Sequence, residues 1–98
     1  VPDNNACWKG REFWIEFKKV YGRKVNVSPE QVGWAERRLR AGGKVYVAAR
    51  KEGTLWLYSG WKLRDLKAGQ VNQVLALGSW DGGPSAWQWT EIAAILAQ

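Results

Sequence analysis

Residues 10–20 read GREFWIEFKKV, and residues 28–50 read SPEQVGWAERRLRAGGKVYVAAR. The first stretch is dense in aromatic and β-branched residues, which predicts a strand over Glu12–Val20. Strand side chains alternate, so Phe13, Ile15 and Phe17 share one face and Trp14, Glu16 and Lys18 the other. Just upstream, Asn5–Trp8 is a short run, joined by a turn over Lys9-Gly10-Arg11 centred on glycine. Together they predict a β-hairpin. Charge in the middle of an apolar strand is costly to bury unless it is paired or bound to metal. The Glu16 face is therefore expected to open on a site.

In the second stretch the helix signals arrive together. Ser28 is an N-cap, Pro29 takes the first helical position, and Gln31 completes a capping box. The helix is expected to run to about Ala41 and stop at Gly42-Gly43. Val32, Ala35 and Leu39 form its core stripe, with Arg37, Arg38 and Arg40 on the other side. Between hairpin and helix, Tyr21 to Val27 reads as a basic loop. After the helix, Lys44–Ala49 is a strand, and Gly53 turns the chain into another, Thr54–Tyr58. Further on, Trp61–Lys67 reads as a short helix ended near Gly69. Gln70–Leu77 is ambiguous between helix and strand, because its apolar run Val74–Leu77 is short. Asp81-Gly82-Gly83-Pro84 is a turn, and Ser85 caps a last helix through Ala97 that packs through Trp87, Ile92 and Ile95. The expected architecture is α/β: a small mixed β-sheet with flanking helices.

Length and composition narrow the functions available. At 98 residues the chain suits one domain, 1–98, with no internal repeat and no linker. A single cysteine, Cys7, and no histidine exclude an intramolecular disulfide, a Cys/His metal site and every histidine-based acid–base scheme. Cys7 is expected to be a small buried hydrophobe. One unpaired thiol fits a reducing, cytoplasmic setting, and no run approaches a membrane span or a signal peptide. Net charge of +6 favours a polyanionic partner such as nucleic acid. The eight tryptophans are expected to fill a core or an interface between subunits, although exposed ones can stack bases.

Asp3, Glu16 and Lys18 are the residues with chemistry to offer together. A hairpin turning at Gly10 brings the start of the first strand beside the later part of the second, so Asp3 and Glu16 converge. Two carboxylates make a hard-oxygen site suited to Mg²⁺ or Mn²⁺. Lys18 lies on the face of Glu16 and projects to the same point. Such a site lowers the pKa of a water held against a phosphodiester, while the lysine stabilises developing charge.

Pro2-Asp3 followed by Glu16-Phe17-Lys18 resembles the PD-(D/E)xK nuclease signature. The two stretches quoted above resemble more specifically the virus-type replication-repair nuclease (VRR-NUC) branch of that superfamily, over about Val1 to Arg50. The resemblance implies a restriction-endonuclease-like fold and metal-dependent DNA cleavage. Asp3, Glu16 and the Phe17 carbonyl would ligate Mg²⁺ or Mn²⁺, Lys18 would be the catalytic lysine, and Gln31 would lie near the scissile phosphate. Small stand-alone phage members of this branch act as homodimers on branched DNA such as four-way junctions. Family members carry a helix with an acidic residue and a first strand before the proline–aspartate pair. Here Val1 begins almost on the motif, so the expected fold lacks that helix and strand: either the sequence is a fragment, another chain supplies them, the site is a reduced one, or the chain is an inactive relative.

Plainer readings stand beside these. Glu16 and Lys18 also suit a solvated strand face with a weak ion pair, Asp3 a solvated turn, and Gln31 a capping box alone. Glu12 and Glu30 are substitutes for a further carboxylate, although the helix dipole already explains Glu30. Lys19, Arg23 and Lys24, with Arg37, Arg38 and Arg40, form either a phosphate-contacting rim or an ordinary charged surface. A non-catalytic nucleic-acid-binding protein of the same fold is the alternative function, and an assembly protein with a tryptophan surface is a third.

Overall fold

The strand predicted from GREFWIEFKKV extends further at both ends, as β2 over Arg11–Tyr21. The structure, a computed structural model, describes residues 4–8 and 10–98. β1 (Asn4–Trp8) folds back antiparallel on β2, pairing Trp8 with Arg11 and Asn4 with Ile15. At its other end β2 turns at Gly22, where a φ of 65° favours a residue without Cβ. The chain returns as a two-residue strand, β3 (Lys24–Val25), within the segment expected to be a loop. Lys9, part of the expected hairpin turn, lies outside the described residues, and Arg11 already belongs to β2.

Helix α1 (Pro29–Arg40) begins as its capping signals require. Ser28 Oγ accepts the Gln31 N–H at 3.1 Å, and Gln31 Oε1 accepts the Ser28 N–H at 3.0 Å. The helix returns the chain so that β4 (Val45–Lys51) lies parallel to β2, and β5 (Thr54–Ser59) follows antiparallel. At the end of β5, Gly60 sits so close to β4 that a Cβ would meet the Val45 side chain at 2.7 Å. A 3₁₀ turn (Gly60–Lys62) leads into α2 (Leu63–Ala68), close to the short helix expected there.

The last third departs more from expectation. Gln70–Leu77 is neither helix nor strand throughout: it holds a 3₁₀ turn, Val71–Gln73, followed by an irregular run. The Leu77 N–H then donates to Leu57 O at 2.7 Å, opening β6 (Gly78–Trp80) on the edge of β5. Ser85 does not cap a helix. Residues 84–87 form a turn on Gly83 O, and α3 runs only over Trp89–Leu96. Trp87 sets that start, because its indole N–H donates to Gly53 O at 2.7 Å and holds the turn against the sheet.

The result is one mixed sheet of six strands, ordered β1-β2-β4-β5-β6, with β3 also on β2. Alternation gives it two apolar faces. One buries Val20, Val45, Val47, Ala49 and Tyr58 under Val32 and Ala35 of α1 and Leu63 and Leu66 of α2. The other buries Phe13, Tyr46, Ala48, Leu55 and Leu57 under Trp87 and Ile92, with Ile95 partly buried beside them. The tryptophans serve both layers: Trp14, Trp34 and Trp56 pack on the first and Trp80 on the second, while Trp61 and Trp89 are exposed. Cys7 corrects an expectation, since it is exposed. The β1 register pairs Ala6 with Phe13 toward the core and leaves Cys7 opposite exposed Glu12. No helix among the described residues is long and apolar enough to cross a membrane.

Candidate active site

Glu16 is the one buried charged residue among those described, 4% exposed on the α1 face of β2. Alternation aims it inward beside Lys18, and the capping box brings the first turn of α1 over both. Lys18 Nζ lies 3.3 Å from Glu16 Oε1, with the two side chains 11% and 5% exposed. Between them stands Gln31. Its Nε2 donates to Glu16 Oε1 at 2.8 Å, and its Oε1 accepts Lys18 Nζ at 2.9 Å along with the Ser28 N–H. Two donors on Oε1 and a carboxylate on Nε2 allow only one orientation of this amide. The capping glutamine thus doubles as the clamp that fixes a buried ion pair.

Phe17 lies between these two residues, with its side chain on the opposite face and 55% exposed. Trp14 donates its N–H to Lys44 O on the β4 side, so the main chain of Phe17 faces the side of β1 and β3. The described part of β1 ends opposite Ile15, and β3 begins to pair at Val20. The Phe17 carbonyl therefore lies on an open stretch of edge among the described residues. Asp3 lies outside the described residues.

Among the described residues no three Cys, Asp or Glu side chains gather as a metal-holding group. Glu12 and Glu30 do not join Glu16. Glu12 instead accepts from Asn5 at 3.2 Å and lies 3.6 Å from Arg38, and Glu30 is exposed in the first turn of α1. What the described residues offer a cation is a buried carboxylate and a main-chain carbonyl. That all-oxygen set fits Mg²⁺ or Mn²⁺, which keep several waters of their own, and does not fit Zn²⁺.

The basic residues are divided. Arg23 is exposed in the turn after β2, Lys24 is exposed at the start of β3, and Arg37 is exposed on α1. Arg38 lies over the Trp14 ring at 5.7 Å, and Arg40 is 3.4 Å from Glu36. The Trp14 indole N–H, on the Glu16 face, is buried without an acceptor among the described residues.

Lys19 turns to the far face of β2 and belongs to a constellation not anticipated from sequence. There a groove of about 1010 Å³ gathers Phe17 and Lys19 of β2, Arg50 and Lys51 of β4, and Trp87 and Trp89. Half of it was signalled by the pattern, because the apolar faces of β2 and β4 both end in a cation. The other half comes from the chain's return at residues 84–89. Comparison with protein-family models, with curated proteins and with solved structures finds no match to this chain.

Proposed function

We propose that the protein is a metal-dependent DNA endonuclease that hydrolyses phosphodiester bonds in branched or duplex DNA. The observation that carries this reading is the buried Glu16–Lys18 pair clamped by Gln31. Replacing a buried ion pair with apolar residues of similar size is often neutral or stabilising, so stability alone gives little reason to keep one here. The resemblance of residues 1–50 to VRR-NUC nucleases supports the same reading, as does the net charge of +6.

Glu16, the Phe17 carbonyl and Asp3 would hold Mg²⁺ or Mn²⁺. When bound, the ion supplies Lewis-acid polarisation of a phosphoryl oxygen and a lowered pKa for water. Lys18 has three donors, two of which face Gln31 and Glu16. The third is available to a phosphate oxygen, where the ammonium stabilises charge that develops as water attacks in line and the P–O bond breaks. Gln31 is a positioning residue that fixes the aim of Lys18. Burial strengthens each of these interactions, because little water competes. A homodimer would present two such sites to a symmetric four-way junction.

The test is cleavage of labelled four-way junction and linear duplex DNA by the full chain in Mg²⁺, Mn²⁺ or EDTA. Metal-dependent cutting is expected. Salt-dependent binding with no cutting in either metal contradicts the nuclease reading and leaves a non-catalytic DNA-binding protein.

A further inference from the structure

The groove on the far face of β2 lies back to back with the Glu16 cluster; Lys18 borders both, but its ammonium is held on the Glu16 side by Gln31 and Glu16. Its walls are aromatic: Phe17 and Trp89 are each 55% exposed, and Trp87 forms the floor. Its rim is cationic, with Lys19, Arg50 and Lys51 against one acid, Glu52. Lys19 and Arg50 are register partners on adjacent parallel strands, where like charges repel unless an anion lies between them.

The surfaces are held in place before any ligand arrives. Arg50 stacks over the Trp87 ring at 5.2 Å, and its Nε donates to Glu52 O at 3.0 Å. Trp87 is pinned to Gly53 O, while the Trp89 indole N–H donates to Pro84 O at 2.7 Å. The two indoles pack at 5.6 Å with a tilt of 52°, leaving Trp89 open to the groove. Lys51 Nζ donates to Gly22 O at 2.7 Å, which fixes its charge beside the β2–β3 turn.

We propose that this groove binds single-stranded nucleic acid, with unpaired bases stacked on Trp89 and Phe17 and phosphates on Lys19 and Arg50. Aromatic platforms beside fixed cations match a chain that alternates flat π-faces with negative charge. In a duplex the base faces are already stacked on one another, so an unpaired strand is the form that fits. The inference goes beyond the nuclease reading and does not require it.

The test measures binding of a fluorescein-labelled oligo-dT to the full chain, by anisotropy and by tryptophan quenching, in EDTA at low salt. Trp89→Ala and Arg50→Glu are expected to weaken binding by at least about tenfold. Trp89→Phe, which keeps a ring, and Lys67→Glu, which makes the same charge change on α2, should stay within about threefold of wild type, as retained stacking and screening of a remote charge imply. An abasic strand of equal length should bind wild type at least about tenfold more weakly than oligo-dT.

Equal binding of the abasic strand overturns the proposal, as does equal loss in Arg50→Glu and Lys67→Glu. If Trp89→Ala fails to fold, Arg50→Glu and the abasic strand decide, since neither disturbs the Trp89–Pro84 hydrogen bond. A dimer that Trp89→Ala dissociates without changing oligo-dT affinity also overturns it, in favour of self-association. Cleavage is scored separately. Metal-dependent cutting with unaltered oligo-dT binding in the groove variants removes this inference alone, and the opposite pattern removes the nuclease reading alone.

Discussion

Gln31 performs two tasks that single substitutions can separate. As the capping-box partner it accepts the Ser28 N–H, and as the clamp it joins Lys18 to Glu16. Ser28→Ala removes the other half of the box, the Gln31 N–H to Ser28 Oγ bond, leaves the clamp in place, and should cost about 1 kcal/mol of stability. Gln31→Ala should cost a similar amount, yet slow cleavage at least about tenfold more than Ser28→Ala does, because the aim of Lys18 is lost. Urea unfolding and single-turnover cleavage of both variants check this, and equal cleavage in the two would reduce Gln31 to a cap. At this scale much was legible. Period-two alternation joined Glu16 to Lys18, and the Ser28–Gln31 spacing announced the helix start that overlies them. The groove was not legible, because Trp89 and Arg50 meet only through a turn whose shape depends on the Trp87 hydrogen bond to Gly53.

Elements report their coupling through pH. Glu36 of α1 accepts two hydrogen bonds from Arg64 of α2, at 3.0 and 2.9 Å, which ties the two helices together. Those bonds, with the charges of Arg64 and Arg40, hold its carboxyl below the ordinary value of 4.5. A depressed carboxylate contributes stability above its unfolded pKa and loses it as pH falls through the folded one. Glu36→Gln should therefore flatten the loss of stability below about pH 4.5, as followed by thermal unfolding across an acid series. Tyr58 works at the other extreme. Burial on β5 pushes its hydroxyl up to about 12 from 10.0, and that hydroxyl donates to Val71 O. Its contribution is complete below pH 10 and is lost as pH rises toward 12, so Tyr58→Phe should reduce the alkaline slope in that window. A slope unchanged by Tyr58→Phe would contradict this account. Capping signals and alternation made β2, α1, β4 and β5 legible. Strand β6 was hidden, because Gly-Ser-Trp has weak strand propensity and pairs only once Leu57 accepts the Leu77 N–H.

Across the whole molecule, one sheet separates two polar sites. Glu16, Lys18 and Gln31 lie under α1, and the cationic aromatic groove lies on the opposite face beside α3. With a net charge of +6, DNA affinity should fall with salt at about −0.9 per phosphate contact in a log–log plot of filter binding. A flat plot would place the charge outside any DNA interface. The central claim is that the Glu16–Lys18 pair exists for chemistry and not for the fold. Removing one partner alone strands a buried charge and should cost about 3–5 kcal/mol, which confounds any loss of cleavage with unfolding. The double variant Glu16→Met/Lys18→Met avoids this, because two flexible apolar side chains of similar length replace the pair together. The most direct measurement is metal-dependent junction cleavage by this variant and wild type, with unfolding midpoints determined on the same samples. The account predicts that stability is retained or raised while cleavage disappears. A double variant that still cuts, or one that unfolds beside a wild type that never cuts, would make the pair a structural element and contradict the claim.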